Sequence, residues 1–205
     1  MTVTPSKAEL EYLHDITASG YEDPFLGGRF LAWWGALITL AYLMHYWLLR
    51  DPFGFGGSAI GVMWLITMLV GLGGYLLLLS NTPEKPAYGS AGNRAEPVLW
   101  STAGFAIFAL FGGIFLKLFM DGETLHPDAA LPVVFAVYAV GLATTGALAR
   151  NKILTMAGYF SLGAVLLTTL LYGEQELYLA GAASVMVTTF VPGLLLMRTD
   201  PEPTA

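Results

Sequence analysis

The residues of this chain best suited to chemistry are two histidines and the carboxylates found at the ends of its apolar segments. Imidazole and carboxylate groups are common metal ligands, so His45 and His126 with one acid could hold a divalent metal or a haem iron. Metal ligands usually recur at short, regular spacing, whereas these residues are scattered over several loops. We therefore predict no metal and no cofactor, and keep His45 and His126 as candidate ligands of an alternative redox protein.

The same residues can instead form a polar rim on the outer side of a membrane. Carboxylates outnumber basic groups there, so the rim has a negative potential that attracts cations. Lys117 lies four residues before Asp121, which allows an ion pair along one helix face. His45 follows Tyr42 in a segment rich in aromatic residues, which is typical of a membrane interface. The predicted rim consists of His45, Lys117, Asp121, Glu123, Asp128, Glu174 and Glu176.

The apolar segments themselves carry no Asp or Glu. Ion-coupled carriers and intramembrane aspartyl proteases need a carboxylate within the membrane. The free-energy cost of burying a carboxylate there marks it as functional. An intramembrane serine protease needs a serine beside a histidine or lysine at the same depth, and no such pair is evident. We therefore predict a protein without catalysis.

Six apolar stretches position these residues. A hydrocarbon layer about 30 Å thick is crossed by roughly 20 residues of helix. In lipid each stretch must satisfy its own backbone hydrogen bonds, and continuous apolar runs exclude the alternating pattern of a barrel. The fold class predicted is an all-α membrane protein, a bundle of six transmembrane helices. The predicted spans are residues 30–49, 57–79, 98–120, 129–149, 153–172 and 177–197.

The distribution of basic residues predicts the orientation of these spans. The first span follows an acidic leader, so it is not expected to be a cleaved signal peptide. Arg50 and Lys117 lie near one face, and seven basic residues lie near the other. The positive-inside rule then places both termini in the cytoplasm. The seven are Lys7, Arg29, Lys85, Arg94, Arg150, Lys152 and Arg198.

Composition limits the remaining possibilities. The chain has 205 residues, no cysteine and a net charge of −6. Without cysteine there is no disulfide and no thiolate site. Without a basic cluster there is no surface for nucleic acid. We expect one transmembrane domain over residues 27–198, a cytoplasmic segment over residues 1–26 and a cytoplasmic tail over residues 199–205.

The segment of residues 1–26 carries the signals of a short amphipathic helix. Ser6 and Glu9 have the spacing of a capping box, and Gly20 and Pro24 end the helical pattern. The acidic polar face should repel anionic lipid, so we expect the helix to dock on protein rather than on the membrane. The polar loop of residues 81–96 is a second candidate contact. The apolar docking residues are Leu10, Leu13 and Ile16.

Small and polar residues inside the spans predict how the helices pack. Rows of small residues allow helices to approach closely in lipid, either inside the chain or at a homodimer seam. Paired threonines should bond to their own helix backbone. Pro192 should kink the sixth helix, and tryptophans near span ends should form interfacial belts. The rows are Gly57/Gly61, Ala109/Gly113, Ala139/Ala143/Ala147 and Ala180/Ser184/Thr188/Pro192, and the threonine pairs are Thr144–Thr145, Thr168–Thr169 and Thr188–Thr189.

Three short segments resemble those of a known group of proteins. Leu26–Phe30, Trp33–Gly35 and Pro192–Arg198 are similar to segments of small uncharacterised bacterial inner-membrane proteins with six predicted spans. The resemblance implies a bacterial inner membrane. It implies no activity and transfers no functional residue.

Three functions remain open from the sequence. The first is a membrane-embedded subunit, scaffold or signalling component that acts through a protein partner or as a homo-oligomer in the lipid bilayer. The second is a permease or channel for a small solute that enters by the acidic rim. The third is a redox or metal protein that uses His45 and His126. The absence of buried coupling or catalytic groups favours the first.

Overall fold

The computed structural model describes residues 27–51, 54, 58–81, 91–121 and 127–198. Within these ranges the regular structure is helical, and a 3-10 turn at Pro127–Ala129 leads into the fourth long helix. The predicted N-terminal helix with Leu10, Leu13 and Ile16 lies outside the described residues, as does the tail. The helices are α1 (Gly28–Leu49), α2 (Ser58–Ser80), α3 (Ala91–Asp121), α4 (Ala130–Leu148), α5 (Lys152–Leu170) and α6 (Glu176–Met197).

Five of these helices, α2 to α6, are long and apolar enough to cross a membrane. The chain therefore has the character of a multi-pass helical membrane protein. Helix α1 has 22 residues but is not among the five. Its aromatic residues and His45 lower its mean hydropathy, although its length would suffice. Helix α3 begins at Ala91, so the predicted loop of residues 81–96 is partly helical: polar helix formers extend the helix beyond the apolar stretch.

Helices α4 and α5 form a closely packed antiparallel hairpin. A Cβ atom on Gly158 would lie 2.5 Å from the backbone N of Ala143, and one on Gly146 would meet the backbone N of Thr155. These glycines therefore let the two backbones touch, which supplies the dispersion contacts that hold helices together in lipid. The predicted row on α4 is confirmed as internal packing at Ala139 and Ala143.

The turn between α4 and α5 is closed by backbone and side-chain caps. Arg150 has a φ of 49°, and the Asn151 amide donates to the Gly146 carbonyl at 2.8 Å, which is the Schellman arrangement for ending a helix. Asn151 then caps α5, because its side-chain oxygen accepts from the amides of Ile153 at 2.9 Å and Leu154 at 3.2 Å. Arg150 and Asn151 thus end α4 and start α5.

Helix α1 packs along α6 through a row of small residues at heptad-like spacing. Gly28, Ala32, Gly35 and Thr39 are all buried. A Cβ atom on Gly35 would lie 2.5 Å from the backbone N of Phe190 and 2.6 Å from its Cα. The backbones of α1 and α6 are therefore in direct contact. This row was not among those recognised in the sequence.

Helix α6 changes from α-helical to π-helical geometry in its middle. Residues Met186–Phe190 form a π-helical turn directly before Pro192. Proline has no N–H, so the carbonyl of Thr188 cannot receive its usual α-helical bond from residue 192. The sequence predicts a kink at Pro192, and the structure has a change of helix type there. Single π turns within α-helices often mark functional positions.

Threonine hydroxyl groups in α5 and α6 bond to their own helix. Thr168 donates to the Ala164 carbonyl at 2.7 Å, Thr169 to the Val165 carbonyl at 2.7 Å, and Thr188 to the Ser184 carbonyl at 2.8 Å. The prediction that these hydroxyls bond to their own helix is confirmed for these three residues. Thr39 and Thr145 differ: their buried hydroxyls have no hydrogen-bond partner among the described residues.

Helix α2 rests on α1 through tryptophan rings. Trp33 Nε1 donates to the Gly71 carbonyl at 3.1 Å. A Cβ atom on Gly71 would meet the ring of Trp34, and one on Gly74 would meet the ring of Trp33. The glycines of α2 thus make room for indole rings. These two tryptophans join α1 to α2.

Helices α2 and α3 lie at the periphery of the bundle. Only 11% of the residues in the apolar window of each are buried, compared with 33% to 50% in α4, α5 and α6. Gly61 of α2 and Gly113 of α3 have no neighbouring atom within 4 Å of a Cβ position, and Ala109 is exposed. Gly61, Ala109 and Gly113 therefore do not pack inside the described part of the chain, whose core consists of α1, α4, α5 and α6, and Gly57 lies outside the described residues.

Candidate functional site

Four polar or aromatic side chains from four separate segments meet at one end of the bundle. Trp64 Nε1 on α2 donates to His45 Nδ1 on α1 at 3.0 Å. The rings of His45 and Tyr178 on α6 are stacked, with centroids 3.6 Å apart and planes 27° apart. The Tyr178 hydroxyl donates to Asp128 Oδ1, in the turn before α4, at 2.5 Å. We call this group the aromatic cluster.

The aromatic cluster is packed rather than open to water. His45 is 5% exposed and Tyr178 is 3% exposed. Tyr42 also packs against the aromatic cluster. The centroid of the Tyr42 ring lies 5.5 Å from that of Trp64 and 6.2 Å from that of Tyr178. Offset and edge-on pairs at these distances stabilise aromatic clusters beyond the area that they bury. The cluster therefore ties α1, α2, α6 and the turn before α4 together.

The bond from Trp64 assigns the tautomer of His45. An indole N–H can only donate, so Nδ1 of His45 must be the unprotonated nitrogen, and the neutral ring carries its proton on Nε2. A metal bound at Nε2 would need that proton on Nδ1, where it would oppose the indole N–H. The bond to Trp64 and metal ligation by His45 therefore exclude each other in this arrangement. Among the described residues, no group of three or more metal-ligating side chains comes together.

The contact between Tyr178 and Asp128 is the strongest polar contact of the cluster. A short hydroxyl-to-carboxylate hydrogen bond is charge-assisted and about twice as strong as a neutral one. It links the start of α6 to the turn before α4. The chemistry of the cluster is thus hydrogen bonding and stacking, which fix helix positions.

The structure brings two residues of the predicted rim together in the aromatic cluster and places the other described ones elsewhere. It joins His45 and Asp128 through Tyr178, and it buries the imidazole that the sequence placed at the membrane interface. Glu174 and Glu176 are exposed at the turn into α6, and Lys117 is partly exposed on α3. Asp121 ends α3, but its side chain, Glu123 and His126 lie outside the described residues.

Arg50 lies close to the aromatic cluster along the chain, at the end of α1. Its guanidinium lies 4.5 Å from the ring centroid of Tyr46 and donates a hydrogen bond to the hydroxyl of that tyrosine. A guanidinium over an aromatic face is favourable, because the face carries partial negative charge. This pair anchors the end of α1 at the same level as the cluster.

Sequence reasoning identified two of the four residues of the cluster. It missed Trp64 and Tyr178, because interfacial aromatic residues usually face lipid and carry no site signal. A useful signal was present: Tyr42, Trp64 and Tyr178 all lie near the same predicted face, in three different spans. Aromatic residues with a polar tip at one depth of several helices can bond to one another.

The chain matches no model of a protein family, no curated protein and no solved structure. The site and the fold define the class only as a multi-pass helical membrane protein.

Proposed function

We propose that this protein is a six-span protein of the bacterial inner membrane that acts, without catalysis, as a membrane-embedded subunit, scaffold or signalling component. The observation that carries the proposal is the unpacked small-residue face of α3. Thr102, Ala106, Ala109 and Gly113 recur at intervals of four, three and four residues, and all are exposed. This face is suited to close approach by a helix of another chain.

The geometry of α3 supports a partner rather than lipid alone on this face. Among the residues of α3 whose side chains the structure describes, Ala103 and Ile114 are buried, and they lie about 100° around the helix from the row of small residues. The row is therefore not covered by the other described helices of the chain. On a face that contacted only lipid, leucine would serve equally well, and leucine is also a better helix former than glycine. A second copy of this chain or a different membrane protein would bury the row.

Helix α1 is the sixth span in this proposal. At about 1.5 Å per residue, its 22 residues reach roughly 33 Å, enough for the hydrocarbon layer. It runs antiparallel beside α6 over most of that length, from Gly28 near Met197 to Tyr42 near Gly181. This position along a helix long and apolar enough to cross the membrane supports α1 as a further span.

Orientation follows from the basic residues. Arg29, Arg150, Lys152 and Arg198 lie at the end of the bundle where α1 begins and α6 ends. The positive-inside rule assigns that end, and both termini, to the cytoplasm. The acidic end with the aromatic cluster then faces outward.

The proposal is tested with two glycine variants of α3. Gly113→Leu adds bulk in the small-residue row, and Gly104→Leu adds the same bulk on a different face of the same helix. At neither position does a described residue place an atom within 4 Å of a Cβ atom, so neither change clashes at that point with the described helices. After purification in mild detergent from the native host, mass spectrometry identifies the bound proteins, and light scattering gives the oligomeric state.

We expect Gly113→Leu to lose a stoichiometric partner, or the second copy, that the wild type and Gly104→Leu retain. Equal association in all three proteins would contradict docking on this row. A separate variant lacking residues 1–20 tests the predicted docking helix. We expect its spans to fold and its partner to be lost, and an unchanged set of bound proteins would refute that part.

A further inference from the structure

Helix α2 is held against α1 at two separate levels. At one level Trp33 Nε1 of α1 donates to the Gly71 carbonyl of α2 at 3.1 Å. At the other level, in the aromatic cluster, Trp64 Nε1 of α2 donates to His45 Nδ1 of α1 at 3.0 Å. Among the described helices only α1 packs extensively against α2. The position of α2 therefore depends on these two levels, of which the second lies at what we call the cluster end of the bundle.

The contact at the cluster end requires a neutral imidazole. The indole N–H of Trp64 can only donate, and Nδ1 of His45 accepts its proton. A proton on Nδ1 would turn that atom into a donor, so two N–H groups would point at each other. The contact between Trp33 and Gly71 has no such requirement, because an indole N–H and a backbone carbonyl do not titrate. Protonation of His45 therefore acts on one level and not on the other.

The other side of His45 is suited to an imidazolium. The ring of Tyr178 is stacked on it with centroids 3.6 Å apart, and a cation over an aromatic face is favourable. The hydroxyl of Tyr178 holds Asp128, whose negative charge acts on His45. Asp128 is only half-buried, so this side of the cluster is also the one nearer to water. A proton on His45 thus loses one partner and gains another.

His45 is the group of the cluster that changes charge at moderately acid pH. The ionisable groups around it are Tyr42 and Tyr46 on α1, Tyr178 on α6, and Asp128 in the turn before α4. Trp64 of α2 does not ionise, and α4 and α5 contribute apolar side chains to the surrounding core. Tyrosine ordinarily ionises near pH 10 and a carboxylate near pH 4, whereas imidazole titrates between them. The other charged side chains described at this end are at least partly exposed: Arg50, Asp51, Lys117, Glu174 and Glu176.

We propose that proton uptake by His45 releases the cluster end of α2 from α1. A proton from the water at this end binds Nδ1, the indole N–H of Trp64 loses its acceptor, and the imidazolium stays between Tyr178 and Asp128. The contact at Gly71 persists, so α2 pivots there. In the proposed orientation the cluster end faces outward, and the device then responds to the pH outside the cytoplasm.

The test measures the distance between α1 and α2 at both levels. The chain has no cysteine, so introduced cysteine pairs carry spin labels without background. Gly61→Cys with Met44→Cys reports on the cluster end, and Gly73→Cys with Leu40→Cys reports on the region of α2 beside Gly71. All four positions are exposed. Electron paramagnetic resonance of the full chain in mixed micelles gives each distance from about pH 8 to about pH 4.5, roughly two units below the ordinary titration of imidazole.

We expect the distance of the cluster-end pair to increase as the pH falls. At about 1.5 Å per residue, Gly61 lies about 15 Å along α2 from Gly71, so a modest tilt about that contact displaces Gly61 by several ångströms. The pair at Gly73 and Leu40 should keep its distance, because Gly73 lies beside the pivot. The neutral state is the closed one, so the closed distance should be present at high pH and lost at low pH.

Two variants remove one partner of the titrating bond. His45→Gln cannot take up a proton, and its side-chain oxygen can still accept from Trp64, so the cluster-end distance should stay short at every pH. Trp64→Phe has no donor to lose, so its cluster-end distance should no longer respond to pH. Circular dichroism shows whether each variant keeps its helices.

A third variant tests the role of the carboxylate. Asp128→Asn leaves His45 and Trp64 in place and can still accept from Tyr178, but it removes the charge that favours the imidazolium. Its distance change should therefore move to lower pH by about one unit. The matched controls are His14→Gln with His126→Gln, which removes the other two histidines of the chain, and Glu174→Gln, which removes an exposed acid at the same end. Both controls should respond like the wild type.

Four results would overturn the proposal. These are a constant cluster-end distance over the whole pH range, an equal change at both pairs, a wild-type response of His45→Gln, and a wild-type response of Trp64→Phe. If His45→Gln does not fold, Asp128→Asn still decides, since an unshifted response would contradict protonation of His45. None of these variants lies on the small-residue row of α3, so this proposal and the proposed function can fail separately.

Discussion

Replacing Gly35 with alanine tests whether direct backbone contact between α1 and α6 positions the aromatic cluster. The new Cβ atom would lie 2.5 Å from the backbone N of Phe190 and 2.6 Å from its Cα, whereas ordinary contact begins at 3.4 Å. The obstacle is backbone, so no side-chain rotation relieves it. Helix α1 must move away from α6 by roughly 1 Å, because interiors packed at this density have no slack.

The expected loss of stability follows from two opposing effects. Overpacking a well-packed core costs about 2–3 kcal/mol when a methyl group is added. Alanine is the better helix former, which returns up to about 1 kcal/mol. The free energy of unfolding should therefore fall by about 1–2 kcal/mol, a factor of roughly 5–30 in the ratio of folded to unfolded protein.

Gly73→Ala is the matched control. Gly73 lies inside α2, and no described residue places an atom within 4 Å of its Cβ position, so the helix-propensity effect remains. Its free energy of unfolding should stay the same or rise. Reversible unfolding in mixed micelles compares the two variants with the wild type under identical conditions.

A second measurement connects this packing to the aromatic cluster. His45 belongs to α1 and Tyr178 to α6, so moving α1 should disturb their stacking at 3.6 Å. The near-ultraviolet circular dichroism should weaken in Gly35→Ala and not in Gly73→Ala. If Gly35→Ala unfolds with the wild-type free energy and keeps its spectrum, α1 and α6 are not in backbone contact and the reasoning is wrong.

Three further changes address single features of the structure. Trp64→Phe removes the donor to His45 Nδ1 and leaves a buried acceptor, so the free energy of unfolding should fall by about 1–3 kcal/mol, and an unchanged value in mixed micelles would disprove the bond. Thr39→Val removes a buried hydroxyl that has no partner in the described chain and should raise stability by about 1 kcal/mol; a lower melting temperature would show that the hydroxyl is bonded after all. Asn151→Ala removes the cap of α5 and should cost about 1 kcal/mol, whereas Asn151→Ser should restore most of it.

The candidate site was only half visible in the sequence. His45 and Asp128 could be recognised because imidazole and carboxylate groups are rare near apolar segments and stand out in any reading of the chain. Trp64 and Tyr178 could not, because aromatic residues near span ends normally face the membrane interface and gave no reason to expect a contact. The burial of His45 was likewise unexpected, since it depends on the rings of two other helices.

Helix packing was likewise only partly predictable from the sequence. The row on α4 was recognisable because its alanines recur every four residues, and Ala143 does pack against Gly158. The rows at Gly61 and Ala109 carry the same signal but face away from the core. Small residues indicate that a helix can be approached closely. They do not indicate which helix approaches, because that depends on the arrangement of the whole bundle.

The amino-acid sequence by itself determined where the long helices lie and how charge is divided between their two ends. Lipid provides no hydrogen-bond partner, so an apolar stretch of sufficient length must be a helix whatever surrounds it. Only the tertiary structure decided that α1 lies against α6, that α2 and α3 are peripheral, and that His45, Trp64, Tyr178 and Asp128 meet. These contacts depend on the shapes of residues far apart in the chain, which hydropathy does not record.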